Sequence, residues 1–209
     1  MEKLFGYDNN FFEVLGKITD IIILNLLCLL FCLPILTIGA SLTATYYVAM
    51  KMVKDEETYI IKEFFKSFKD NFKISSTIWM IFLFVAGILI LDFNICSFME
   101  NKILLKVLEF IFTTAGVVFV ISLMYIFPII AKFDNSIKNT MLNSILISIQ
   151  NLPYTLVILG VNSIPFLLIA FFSNMWGYIL FFYLIAGIGI SSYINSIFFN
   201  KIFELYISK

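Results

Sequence analysis

The stretch IIILNLLCLLFCLPILTIGASLTATYYVAM, residues 21–50, runs for 30 positions without a charged side chain. Such a run implies lipid as its solvent, because about 20 apolar residues already cross the hydrocarbon core. Pro34 and Gly39 interrupt it, and a proline removes one backbone hydrogen bond of a helix. We read the run as one long, kinked or tilted span over residues 18–50, with a re-entrant hairpin as the alternative.

Further spans lie downstream. Residues 74–91 are uncharged and extend past Asp92 to give a span over 74–99, and residues 110–131 anchor another over 107–131. After Lys138 the next charged residue is Lys201, a gap of 62 residues. Pro153 and the break Ser173-Asn174-Met175-Trp176-Gly177 divide that gap into spans over 152–172 and 177–199. The expected fold is all-α: a polytopic transmembrane helix bundle of about five spans, one membrane domain over 1–209, with one or two interfacial amphipathic helices. Nothing at the amino terminus reads as a cleavable signal, so the first helix is expected to stay.

Composition agrees. Apolar residues make up 61% of the 209 and charged ones 13%, about half the usual share of a soluble domain. The formal net charge is zero and there is no basic stripe of the kind a nucleic-acid binder needs. No His is present, which removes the commonest general base and transition-metal ligand. Cys28 and Cys32 share a helix face but, with Cys96, read as small buried packing residues. With no phosphate loop, no nucleophile beside a base and no metal-ligand cluster, we expect no enzyme, no cofactor and no metal site.

Two segments have amphipathic spacing. In residues 56–72, Ile61, Phe64, Phe65, Phe68 and Phe72 recur at helical intervals opposite Lys62, Lys66, Lys69 and Lys73, behind an acidic start at Asp55–Glu57. This reads as a helix at the membrane interface, its Phe face in lipid or against the bundle. The plainer reading is an anchor. The functional one is a partner-docking surface of Phe64, Phe65, Phe68, Phe72, Lys66 and Lys69, joined by Lys132 and Phe133. The second segment, 134–150, places Ile137, Met141, Leu142, Ile145 and Ile149 on one side.

Lysines set the expected orientation. The connection from Lys51 to Lys73 carries six, which places it in the cytoplasm, the amino terminus outside and the carboxyl terminus inside. A hairpin in the first span would move the amino terminus inside. Under this topology Asp20, Asn25, Asp92 and Glu109 fall toward the outer face, either as a shared polar cavity or as separate residues reaching headgroups. Lys106 can pair with Glu109 three residues on. Asn162, Ser191, Ser192, Asn195 and Ser196 lie deeper and read as interhelical hydrogen-bonding groups, while Thr37, Ala40, Ser41, Ala44 and Thr45 predict close helix packing.

Several stretches in order carry a resemblance: Asp20-Ile21-Ile22-Ile23-Leu24-Asn25-Leu26-Leu27, Leu33-Pro34-Ile35-Leu36-Thr37-Ile38-Gly39-Ala40, Ala44-Thr45-Tyr46-Tyr47, Phe64-Phe65-Lys66-Ser67-Phe68-Lys69-Asp70-Asn71-Phe72, Phe133-Asp134-Asn135 and Asn151-Leu152-Pro153. With these the chain resembles the YesL family of bacterial membrane proteins, a domain family of unknown function. Lys132 departs from the Arg the family often has before Phe133 and loses its bidentate reach. The resemblance implies a Gram-positive plasma-membrane protein associated with carbohydrate uptake of the ABC type, with permease or ATPase subunits as partners beside the lipid bilayer. It implies no catalytic residues. Two functions follow as expectations: an accessory or permease-like component of such uptake, or a structural or regulatory membrane protein, with a homo-oligomer left open, that has no substrate pathway.

Overall fold

A computed structural model describes residues 10–56, 59–96 and 101–207. The described residues are helical and contain no strand. In chain order the helices are α1 (Asn10–Cys32), α2 (Ile38–Val53), α3 (Ile60–Cys96), α4 (Lys102–Lys132), α5 (Ile137–Gln150), α6 (Leu152–Phe171), α7 (Trp176–Phe182) and α8 (Ile188–Ile207). Five helical stretches are long and apolar enough to cross a membrane: Phe12–Cys32, Ile60–Asp92, Lys102–Lys132, Leu152–Phe171 and Trp176–Ile207. This is a multi-pass membrane protein with an all-α bundle.

The first apolar run is not one kinked span. The residue before a proline is pushed out of the α region, and here α1 ends at Cys32, immediately before Leu33-Pro34. Pro34 is extended (φ −77°, ψ 122°) and a short 3-10 turn, Ile35–Thr37, follows. Thr37 N–H donates to Pro34 O at 3.0 Å, and the single Thr37 hydroxyl proton is shared between Pro34 O and Phe31 O, a carbonyl freed at the break. The chain reverses, and α2 returns beside α1. Ser41 Oγ donates to Cys28 O at 2.9 Å, and Lys17 near the start of α1 grips Asp55 just past the end of α2 at 2.7 Å. The hairpin, the alternative reading of this run, is the one observed.

The reversal changes the parity of the bundle. α2 is 16 residues long, about 24 Å at 1.5 Å per residue, yet it adds a sixth leg to the five long helices. Lys54 at its end pairs with Glu204 near the end of α8 at 2.9 Å. The start of α1 and the end of α8 therefore lie at one end of the molecule. The expectation that the first and last helices open on opposite faces is corrected by this pair of ion pairs. Residues 1–9 and 208–209 lie outside the described residues.

α2 is the axis of the bundle. Gly39, Ala40, Ser41, Thr43, Ala44, Thr45 and Val48 are all buried in it. Their small size lets backbones approach, which in lipid replaces the hydrophobic drive that joins helices in water. Gly39 is the tightest point: a Cβ there would sit 2.5 Å from Ser75 O and 2.8 Å from Trp79 Cβ.

α3 corrects a second expectation. The Phe/Lys segment is not a separate interfacial helix; it is the first third of one unbroken helix of 37 residues. Nothing between Asp70 and Ser75 is a Pro or Gly that would stop it. The segment lies antiparallel to α2, with Lys51 paired to Glu63 at 2.8 Å and Trp79 Nε1 donating to Ile35 O at 2.8 Å. α4 runs back along α3, with Phe82 against Phe119 (ring centroids 5.0 Å apart).

α5 opens on a Ser136 cap and buries Thr140, Ser144, Ile147 and Ser148. Leu142, Leu146 and Ile149 point outward. The apolar side read from the sequence is therefore split, because small hydroxylated residues are the ones that close against α4. Their hydroxyls are bonded to their own helix, Ser144 to Met141 O and Ser148 to Ile145 O, so burial leaves them satisfied. α7 and α8 form one stretch joined by a π-helical turn, Tyr183–Gly187.

Candidate functional site

Charged groups gather where α1 begins, α2 ends and α8 ends. Lys17 bonds Asp55 and Glu13, Lys51 bonds Glu63, and Lys54 bonds Glu204. The Glu63 carboxylate beside Lys51 raises the ammonium pKa above its ordinary value. Lys51, Lys54, Glu56, Lys132 and Asn200 line a small cleft at this lysine-rich end.

A polar seam leads inward from there along α8. Asn200 Nδ2 donates to Met50 O at 3.0 Å, and Asn195 Nδ2 reaches Tyr46 Oη at 3.4 Å. Asn25 ends the seam. Fully buried, it donates through Nδ2 to Leu184 O at 2.7 Å and accepts from Gly189 N–H at 3.0 Å through Oδ1. It thereby holds the π-helical turn, where the i→i+5 pattern disturbs the regular backbone ladder. Gly189 makes this contact feasible, since a Cβ would fall 2.6 Å from Ile21 O. Asn195 Oδ1, Ser196 Oγ and Asn200 Oδ1 have no hydrogen-bond partner among the described residues.

The candidate polar cluster does not assemble. Asp20 follows Lys17 by three residues on α1, so it lies toward the lysine-rich end. Asp92 is 29 residues beyond Glu63 on α3, about 44 Å along the helix axis. Glu109 is exposed early in α4, again far from the lysine-rich end. Among the described residues Lys106 and Glu109 make no ion pair. Two remote places replace the shared cavity, and only Asn25 bridges helices.

The candidate docking face is also redistributed. Phe64 is fully buried, and Phe31 of α1 packs its ring against Phe64, Phe65 and Phe68 at 5.7, 5.1 and 5.0 Å. These rings seat α1 and are not free for a partner. Phe72 remains partly exposed, as do Lys66, Lys69 and Lys132. Phe133 meets Phe203 edge-on at 5.2 Å. Cys28 Sγ and Cys32 Sγ lie 4.0 Å apart beside α2, and the Cys96 side chain lies outside the described residues. Among the described residues no three His, Cys, Asp or Glu side chains converge as a metal site would need.

Residues 21–93, the second half of α1 with α2 and nearly all of α3, match the family described as Protein of unknown function, DUF624. The resemblance is to a YesL-like family of unknown function. Uncharacterized protein YesL of Bacillus subtilis (strain 168) is 27% identical over 137 residues, 64% of this chain and 64% of that one. Uncharacterized protein YteU of the same organism is 28% identical over 136 residues, 63% of this chain and 60% of its own length. The chain thus spans under two thirds of the length of these relatives. No solved structure matches. The matched region coincides with the α2-centred packing, including Gly39, Asn25 and the Phe31 cluster.

Sequence reasoning overlooked one group of residues. Asn135, Asn143, Gln150 and Tyr206 come from three separate segments and meet in one pocket at the lysine-rich end. Their only sign in the sequence is that uncharged amides recur in and beside the segment 134–150.

Proposed function

We propose that this chain is a non-catalytic membrane protein of scaffolding or regulatory type, with no substrate path through its bundle. One observation carries the reading: the polar groups that a path would need are apart. Asp92 and Glu109 lie remote from the seam, and the Asn162 amide is spent on Ile158 O of its own helix at 2.8 Å. The seam itself is closed by Tyr46, Asn25 and the small residues of α2. Purified protein in sealed proteoliposomes should move no sugar across the bilayer. Saturable uptake that depends on the protein would overturn the reading.

A second reading makes it an accessory of carbohydrate uptake of the ABC type in a bacterial plasma membrane, in keeping with the family resemblance. Lys66, Lys69 and Lys132 favour it. They stay exposed and without ion pairs among the described residues, at the end that lysine content assigns to the cytoplasm. A transporter subunit should then co-purify with the protein and be lost from a Lys66→Ser/Lys69→Ser variant that still folds. Undiminished sugar uptake in a deletion strain counts against this role and leaves the scaffold reading intact.

A further inference from the structure

The last turn of α4, the outer side of α5 and the end of α8 enclose a pocket of about 320 Å³ over an apolar floor that includes Ile147. Its wall carries Phe133, Asn135, Asn143, Gln150 and Tyr206. No formally charged side chain lines it; Lys132 and Asp134 flank it in sequence only. Parts of the wall are fixed. Tyr206 donates to Gln150 Oε1 at 2.7 Å and accepts from Asn151 Nδ2 at 3.0 Å, which ties the end of α8 to the junction of α5 and α6. Phe133 is braced by Phe203.

Two members of the wall are not committed. The carboxamides of Asn135 and Asn143 are half-buried and make no hydrogen bond to any described residue, and Gln150 keeps its amide N–H groups. Each free carboxamide presents two donors beside an acceptor. That alternation matches adjacent hydroxyls, which both donate and accept, while the Phe133 and Tyr206 rings suit the C–H surface of a small saturated ring. A wholly apolar occupant would leave the amides unpaired, and an ion would find no opposite charge in the lining. The volume is at the low end for ligand pockets, which limits the occupant to about one small ring.

We propose that this pocket binds a neutral polyhydroxylated group, a single sugar or polyol unit, supplied as a free solute or as the headgroup of a glycolipid. The proposal does not rest on the scaffold reading: a pocket at one end of the bundle needs no path through it. Occupancy would cross-link the end of α8 to α5, so binding should stiffen that end.

The test uses the full chain, in micelles and in phosphatidylcholine nanodiscs, with ligand-observed saturation-transfer NMR. The probes are D-glucose and glycerol as free ligands, glucosyl-diacylglycerol in the nanodisc, and glucose 6-phosphate as the charged analogue. Saturable signals from a neutral probe, each weakened roughly tenfold by Asn135→Leu and by Asn143→Leu at unchanged melting temperature, support the proposal. Signals from the free ligands assign a soluble ligand; signals only from the glycolipid assign a headgroup. Binding that is absent in every setting, or unchanged in both variants, overturns it. Equal or tighter binding of glucose 6-phosphate by the unaltered chain also overturns it, and that arm needs no variant to fold.

Discussion

The two ends of this bundle are built differently. Around α2, the buried residues include the small Gly39, Ala40, Ser41, Thr43, Ala44 and Thr45 beside larger ones such as Leu24, Phe64 and Phe199, with Asn25 and Asn195 bonded across the helices. At the other end, no described residue is buried in α3 beyond Phe82, in α4 before Ser122, or in α6 beyond Ile158. There the large side chains face outward: Phe84 is 72% exposed, Phe110 and Phe166 74%, and Phe171 79%. An open apolar groove of about 490 Å³ between α3, α4 and α5 belongs to this looser part. In water the arrangement would be inverted. In lipid, a phenyl ring gains little by leaving the acyl chains, so helices close where residues are small and where polar groups find partners. Hydropathy therefore locates the helices, while small residues, paired polar groups and interlocked rings at the closed end locate the contacts.

Glycines break or sharpen that contrast most strongly. Gly39→Val inserts a branched side chain where a single Cβ would already meet backbone at 2.5 Å. Overpacking of this kind costs about 3 kcal/mol or more when the obstacle cannot move. Failure to recover monodisperse protein, or a large fall in melting temperature in detergent, is the expected result. Gly87→Val and Gly116→Val, where a Cβ meets nothing within 4 Å, should leave the melting temperature almost unchanged. Equal sensitivity at both ends would refute the division.

Asparagines come next. Asn25→Leu removes the donor to Leu184 O in the π-helical turn and the acceptor for the buried Gly189 N–H at the start of α8. A loss of about 2 kcal/mol is expected, read as unfolding free energy in mixed micelles. Asn162→Leu is the matched control. Its amide only bonds its own helix, so a loss under about 0.6 kcal/mol is expected. Should the two variants melt together, Asn25 is not the clamp that its geometry suggests.

The sequence made the spans legible because charge-free runs report the solvent directly. The hairpin was harder, because proline has no single consequence in a membrane helix: Pro128 and Pro165 sit inside α4 and α6, whereas Pro34 ends α1. What separates them is tertiary, since α2 must return to pack Gly39 on Ser75. Lysines opposite phenylalanines gave the Phe/Lys segment the look of a surface helix, but its rings meet Phe31, which is distant in sequence. The candidate site was least legible. Charge drew attention to Asp92 and Glu109, while the pocket at the lysine-rich end is assembled from uncharged Asn135, Asn143, Gln150 and Tyr206. Only the approach of α8 to α5 brings those four together.

The smallest expected effect tests whether ion pairs help hold the closed end. Lys51 and Glu63 keep side-chain exposures of 26% and 17%, so the cost of partly desolvating both charges offsets much of their attraction. A double-mutant cycle with Lys51→Met and Glu63→Gln should give a coupling under about 1 kcal/mol. The sign of its pH dependence follows from Lys51. Its pKa is raised above 10.5 in the folded chain by the Glu63 carboxylate. That contribution is fully present below the unfolded value and disappears as pH rises through the folded one. The cycle should therefore give the same coupling at pH 7 and pH 9 and a smaller one once pH rises through the raised Lys51 value. A coupling of several kcal/mol would mean that charge, rather than the small residues of α2, joins α2 to α3.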